Sequence, residues 1–158
     1  LKFGDQPFYT RWETSRYTSL MPNGMARQFQ LRQEVNSVIT SPSGMMEIEA
    51  GYNRITGLAW SGDGLITKVE VSTNAGESWQ EAALNAPVLP KAQTRFQLDW
   101  EWDGSPTFIT SRATDEKGNV QPDRETLVAQ MGVNALFHYN GQQIWRVSAE
   151  GSVRHALS

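Results

Sequence analysis

The stretch of sequence that decides the fold lies in the second half of the chain and reads Arg95-Phe96-Gln97-Leu98-Asp99-Trp100-Glu101-Trp102. Large apolar side chains occupy every second position, and polar or charged side chains occupy the positions between them. Because successive side chains of a β-strand point to opposite faces, this alternation predicts a strand with one face in a core and the other in water. We therefore expect Phe96, Leu98, Trp100 and Trp102 to lie buried on one side of an antiparallel sheet.

Six further segments show short β-branched or aromatic patterns separated by turn formers, at 36–40, 45–50, 54–60, 67–73, 107–114 and 144–149. The Gly- and Asn-containing stretches 61–64 and 74–76 predict tight turns that close hairpins. Strands at this spacing are typical of an immunoglobulin-like sandwich. The sequence thus predicts an all-β protein, an immunoglobulin-like (E-set) antiparallel β-sandwich with an irregular N-terminal arm. Only a turn or two of helix is expected, near 123–130.

The composition limits the classes of partner. The 158 residues carry 14 Lys and Arg against 17 Asp and Glu, with the cations scattered along the chain. No basic stripe is available for a phosphate backbone, so we expect no nucleic acid partner. No apolar run approaches the roughly 18 residues of a membrane span, so we expect no membrane association. The absence of cysteine excludes disulfides and thiolate metal ligands.

The N-terminal arm has a different character from the rest of the chain. Residues 1–33 contain turn formers and no strand period, so we assign them to an arm and residues 34–158 to the sandwich. The arm is nevertheless rich in aromatic residues, which are rare in solvated linkers. They include Phe3, Phe8, Tyr9, Trp12 and Tyr17. We expect them to pack on this domain or on a neighbouring one, unless some of them line a site.

Signals of catalysis are weak. The chain has two histidines, His138 and His155, and neither is spaced in a pair with a carboxylate or another histidine, so no metal site is predicted. The sequence contains no Gly-x-Ser-x-Gly elbow, phosphate-binding glycine loop or dinucleotide fingerprint. We therefore expect no catalytic residue in this chain.

Residues 72–79, STNAGESW, are similar to the Asp-box hairpin of sialidases and other β-propellers. A propeller needs this hairpin in several blades, whereas here it occurs once. We interpret it as a structural turn in which Asn74 and Gly76 shape the loop and Trp79 returns into the core.

Three stretches in a fixed order are much more specific: ITGLAWSG at 55–62, VEVSTNAGESW at 69–79, and SRATD at 111–115 followed by GNVQP at 118–122. Together they resemble the C-terminal dimerisation domain of the sulfite oxidase family of molybdenum enzymes. The arm segment ETSRYTSLMP at 13–22 is most similar to the sulfane dehydrogenase branch of that family, at the end of its catalytic domain.

The resemblance implies a dimerisation fragment that is not catalytic alone. Its parent would oxidise sulfite or protein-bound sulfane sulfur and pass electrons to a c-type cytochrome. The molybdenum-pterin cofactor would lie in a catalytic domain preceding this chain, and residues 1–33 would be the end of that domain and the linker. The resemblance also implies a homodimer formed through the sandwich and a periplasmic location.

Two substrate-binding positions are implied by the same resemblance. Tyr17 falls where the family carries an active-site tyrosine, although an aromatic packed at a domain seam would explain it equally. Met131 stands where the sulfite oxidases have an anion-binding arginine, which weakly favours a substrate other than free sulfite. The alternative to this whole interpretation is a stand-alone β-sandwich that binds carbohydrate or protein through its six Trp.

Overall fold

The computed structural model describes residues 3–28, 31–133 and 139–156. The elements in chain order are α1 (Arg11–Ser15), β1 (Ser19–Leu20), β2 (Ala26–Arg27), β3 (Asn36–Ser41), β4 (Gly51–Trp60), β5 (Ile66–Ser72), β6 (Gln80–Glu81), β7 (Ala83–Asn85), β8 (Thr94–Trp102), β9 (Thr107–Asp115), α2 (Arg124–Met131), β10 (Ile144–Val147) and β11 (Val153–His155). Apart from the two-stranded β1–β2 ribbon, the strands form a five-stranded sheet in the order β11-β10-β9-β5-β6 and a four-stranded sheet in the order β3-β4-β8-β7. All strand pairs are antiparallel. The predicted all-β immunoglobulin-like sandwich is confirmed, while the finer E-set type stays a prediction.

The core fills the space between the two sheets. Its larger cluster joins inward side chains of both sheets, including Ile55, Val69, Phe96 and Ile109. A smaller cluster, Trp102 with Val147 and Val153, closes one end. The alternation that predicted β8 therefore points its apolar face inward, as expected, although Leu98 and Trp100 are only half-buried.

The two predicted hairpin turns have different outcomes. The turn at 74–76 does close a hairpin, because Val71 pairs with Gln80 across it. The predicted hairpin at 61–64 is wrong, since β4 and β5 lie in different sheets and the turn crosses between them. A tight turn sequence fixes a local reversal of the chain, but the sheet that each strand joins depends on its distant partners.

The predicted strand at 45–50 is also wrong. This segment forms one isolated bridge, Glu47 to Ser152, and otherwise runs irregularly beside β11. Met45 has a φ of +69°, in the left-handed region, and its side chain is 89% exposed. The backbone at Met45 thus leaves the extended conformation that a continuous ladder requires.

The hairpin that resembles an Asp box has an internal structural role. Asn74 Oδ1 accepts hydrogen bonds from Ser78 N and Ser72 Oγ, both at 2.9 Å, so the turn satisfies its own polar groups. Trp79 does not return into the core as predicted. Its ring lies half-buried on the outer side of the five-stranded sheet, 4.1 Å from the guanidinium carbon of Arg112.

The arm leaves its aromatic side chains open. Thr10 caps α1 through a capping box with Glu13, and β1 and β2 form a short ribbon after it. More than half of the residue surface is exposed at each of five arm aromatics: Phe3, Phe8, Tyr9, Trp12 and Tyr17. They therefore do not pack into this sandwich.

Candidate functional site

One end of the sandwich gathers the arm, the C-terminus of α2 and the segment 139–143. Arg27 of β2 links the arm to α2 and to the residue before β3: its Nη1 donates to Met131 Sδ at 3.4 Å, and its Nη2 lies 2.7 Å from Glu34 Oε1. The Arg27 and Glu34 side chains are about 36% and 40% exposed. A half-exposed guanidinium thus lies at the thioether of a sequence-predicted site residue.

Helix α2 is bounded by a capping residue at each end, Asp123 before it and Gly132 after it. Asp123 caps the start of α2 by accepting a hydrogen bond from Thr126 N at 2.7 Å. Gly132 ends the helix with a φ of +82°, which a side chain would strain. A Cβ at Gly132 would also lie 3.1 Å from the carbonyl oxygen of Leu20, so the arm approaches the helix end closely.

A fully buried amide holds the start of this region to the opposite sheet. Gln121 is 1% exposed, and its Oε1 accepts from Ser37 Oγ at 2.6 Å. Its Nε2 donates to Asn36 Oδ1 at 2.9 Å. The Ser37 hydroxyl also lies 2.9 Å from that of Ser111 in β9. The turn before α2 is therefore fixed to β3 and β9 by a network whose buried polar groups are satisfied.

The segment 139–143 is held by hydrogen bonds to backbone carbonyl groups. Asn140 Nδ2 donates to Val35 O at 3.2 Å, and Asn36 Nδ2 donates to Tyr139 O at 3.3 Å. Gln142 N donates to Pro122 O at 3.0 Å. Together these contacts attach the segment to β3 and to the turn before α2.

A buried carboxylate organises the loops beside this end. Asp115 is 2% exposed and accepts from Ser61 Oγ at 2.8 Å and from Asn119 Nδ2 at 2.9 Å. The backbone N–H groups of Lys117 and Asn119 also donate to it, each at 3.0 Å. Burial alone would raise the pKa of the Asp115 carboxyl, but these hydrogen bonds outweigh burial and hold the pKa below its usual range.

An open cleft of about 700 Å³ lies where the linker meets the loops. Arg32, Lys91 and Lys117 line it, and Asp63 Oδ1 pairs with Arg32 at 2.9 Å and with Lys117 at 3.4 Å. A smaller cavity of about 160 Å³ shares Gln33 and Trp60 with the cleft and reaches Tyr139 and Asn140. The cleft is polar and locally cationic, whereas the whole chain has a net charge of −3.

The residues singled out from the sequence differ in their exposure to solvent. Met131 is half-buried against Arg27. Tyr17 follows α1 in the same arm and is 56% exposed. His138 lies outside the described residues, and His155 lies 3.0 Å from Gln143 Oε1. Sequence reasoning missed Arg27 and Glu34, because charged residues in an irregular arm follow no period that would single them out.

The described residues offer no cluster of side chains suited to ligate a metal ion. The chain has no cysteine, and the described part has no group of three or more His, Asp or Glu side chains placed to hold a metal ion. No helix within the described ranges is long and apolar enough to cross a membrane.

The fold is thus a two-sheet β-sandwich in which the arm and several loops converge at one end. Residues 27–144 match the family described as the Mo-co oxidoreductase dimerisation domain. The chain belongs to this family and is a dimerisation domain of the kind found in sulfite oxidase and sulfane dehydrogenase enzymes.

Individual relatives support the assignment. The crystal structure of the sulfane dehydrogenase SoxCD from Paracoccus pantotrophus is 47% identical with a TM-score of 0.92, covering 98% of this chain and 40% of that chain. The mitochondrial sulfite oxidase of Mus musculus is 29% identical over 131 residues, covering 73% of this chain and 24% of that protein. An NADH nitrate reductase of Solanum lycopersicum is 33% identical over 108 residues, covering 57% of this chain and 12% of that protein. The chain therefore spans about a quarter of the length of the sulfite oxidase it matches.

Proposed function

We propose that this dimerisation domain serves a molybdenum-dependent oxidoreductase that oxidises protein-bound sulfane sulfur or sulfite. The observation that carries the proposal is the 47% identity to the sulfane dehydrogenase over 98% of this chain. The nitrate reductase match is both less identical and shorter, at 33% over 57% of the chain. In this proposal the enzyme is a periplasmic homodimer, joined through the sandwich, that passes electrons to a c-type cytochrome.

The division of the chain follows from the same proposal. Residues 1–33 are the end of the cofactor-binding domain and the linker, and residues 34–158 are the dimerisation domain. The exposed aromatic side chains at 3–17 support this division, because so many large aromatic groups exposed in one short segment mark a surface that another domain covers. In the full-length protein the molybdenum-pterin domain covers them.

Tyr17 and Met131 are the residues we assign to the substrate side of that domain. A tyrosine phenol can donate a hydrogen bond to an oxyanion, which stabilises negative charge that develops during oxidation. Met131 offers no positive charge of its own, but the Arg27 guanidinium lies beside it. The contact between Met131 and the arm supports placing both residues at the seam between the two domains.

The proposed function is tested by purifying the full-length gene product and the 158-residue chain separately. We expect the full-length protein to carry about one molybdenum per chain and to reduce cytochrome c with a sulfane-bearing carrier protein or with sulfite. The 158-residue chain should bind no molybdenum. Elemental analysis and cytochrome absorbance give both results. Stoichiometric molybdenum in the short chain, or a full-length enzyme that reduces nitrate and oxidises neither sulfur substrate, would contradict the proposal.

The role of Tyr17 is tested by Tyr17→Phe in the full-length protein. Removing one hydroxyl that bonds a charged substrate should lower kcat/KM about tenfold to a hundredfold while the melting temperature stays unchanged. Tyr9→Phe is the matched control, because Tyr9 belongs to the same arm and is 64% exposed. Equal kcat/KM in the wild type and Tyr17→Phe would remove Tyr17 from the site.

A further inference from the structure

The outer face of the four-stranded sheet is long and regular. β4 and β8 pair from Gly51 opposite Trp102 to Ala59 opposite Thr94 without a register shift. Side chains that point away from the core on these two strands define what we call the β8 face. They are Tyr52, Arg54, Thr56 and Leu58 on β4, and Arg95, Gln97, Asp99 and Glu101 on β8.

Opposite charges lie at opposite ends of the β8 face. Arg95 lies at one end, Glu101 lies at the other, and both are exposed. Neither forms an ion pair within the described residues. Six residues of extended strand separate them by about 20 Å. Between them, Arg54 and Asp99 neutralise each other, with Nε and Oδ1 2.8 Å apart. The face is thus positive at one end, negative at the other and neutral in the middle.

Tyr52 is held at the negative end of the same face. Its hydroxyl donates to Asp99 Oδ1 at 2.7 Å and accepts from Arg54 Nη2 at 2.8 Å, yet its side chain is 68% exposed. At the positive end, Leu58 pairs with Arg95 and with Val38 of β3, so an apolar strip lies there. A fixed, exposed tyrosine and an apolar strip therefore stand at opposite ends of one sheet face.

We propose that the β8 face is the two-fold interface and that its occupant is the same face of a second copy of this chain. A two-fold axis between the sheets and perpendicular to the strands turns one copy end for end. Arg95 then lies over Glu101 of the partner subunit, and Leu58 lies over Tyr52 of the partner subunit. The middle of the face, where Arg54 pairs with Asp99, lies over the middle of the same face in the partner subunit. The charged ends of the face thereby meet opposite charges, and the apolar strip meets an aromatic ring.

The outer face of the five-stranded sheet lacks this free complementarity. Glu70 already pairs with Arg112 at 2.9 Å and with Lys68 at 3.2 Å, and only 17% of its side chain is exposed. Trp79 covers the Arg112 guanidinium. The β5–β9 ladder also shifts register between Ile66 and Lys68. The charges at its centre are paired within one copy, and its surface is less regular. At its β10–β11 edge the exposed Arg146 and Arg154 stand directly opposite each other, so like charges are neighbours there.

This inference rests on the proposed function, which supplies the expectation of a homodimer, and charge reversal tests it separately. The variants Arg95→Glu and Glu101→Arg are made in the full-length gene product, and the dimer dissociation constant is measured by sedimentation at low salt. Each reversal replaces two symmetry-related attractions by repulsions, so each should raise the dissociation constant at least about tenfold. The double variant Arg95→Glu/Glu101→Arg should return it close to the wild-type value.

Mixing the two single variants gives a more specific test than either variant alone. Arg95→Glu mixed with Glu101→Arg should form heterodimers in preference to either homodimer, because both contacts become attractive only between the two variants. Lys68→Glu on the other sheet is the control and should leave the dimer unchanged. A wild-type dimer that neither reversal weakens would overturn the β8 face while leaving the proposed function standing. A monomeric wild type would remove the homodimer itself, and with it this inference.

Discussion

Replacing Trp102 by alanine is expected to lower the free energy of unfolding by about 3 to 5 kcal/mol, the range for removing a large buried aromatic side chain. Trp102 is 3% exposed and packs with Val147 and Val153, which are fully buried. Its Nε1 donates to Ser105 O at 2.8 Å, so the substitution also removes the partner of that carbonyl. Urea unfolding of the 158-residue chain measures the loss as a lower transition midpoint.

Trp12→Ala is the matched control for this result. It removes the same side chain from the arm, where Trp12 is 62% exposed, and should change stability by less than about 0.5 kcal/mol. Trp100→Ala should fall between the two, because Trp100 is half-buried between both core clusters. Equal losses for Trp102 and Trp12 would mean that Trp102 is not in the core.

Strand β8 could be predicted from sequence because its signal is local. A period of two in side-chain polarity results directly from the pleat, so the face of Phe96 and Trp102 follows from the sequence alone. The same holds for the hairpin around Asn74, where the residues that shape the turn also satisfy its hydrogen bonds. Local chemistry decides both features.

Pairing between distant strands could not be predicted in the same way. β4 is followed by the turn at 61–64, but its ladder partners are β3 and β8. The turn sequence contains no information on those partners. Residues 45–50 are predicted to form a strand because their polarity alternates. They do not, since Met45 adopts a left-handed backbone conformation there. Tertiary contacts overrode local preference in both cases.

Much of the candidate site depends on side-chain directions that sequence does not fix. The Gln-Pro turn at 121–122 belonged to the pattern that identified the family, but nothing in the sequence indicated that Gln121 points inward to Ser37. The contact between Arg27 and Met131 joins residues far apart in the chain. Only the folded structure brings such pairs together.

Asp115 connects the end of β9 to the turn at 61–64, which crosses between the sheets instead of closing a hairpin. Ser61 lies in the crossing between the sheets, and its hydroxyl donates to Asp115 Oδ2 at the end of β9. The carboxylate also collects the N–H groups of the turn that follows it. One buried charge thus fixes the path of two loops at the same end of the sandwich.

Asp115→Asn is expected to cost about 3 kcal/mol at neutral pH, because a buried charged acceptor is lost and an amide donor then faces the Asn119 amide. The folded-state pKa of Asp115 is lowered, so its contribution is fully present above the unfolded pKa of about 3.9 and disappears as the pH falls through the folded pKa. The difference in unfolding free energy between wild type and variant should therefore stay constant from about pH 7 to 5 and shrink in stronger acid. Urea titrations at each pH measure it, with the exposed Asp5→Asn variant as control. A difference that persists undiminished at about pH 2 would show that the amide mismatch, and not the carboxylate charge, causes the loss.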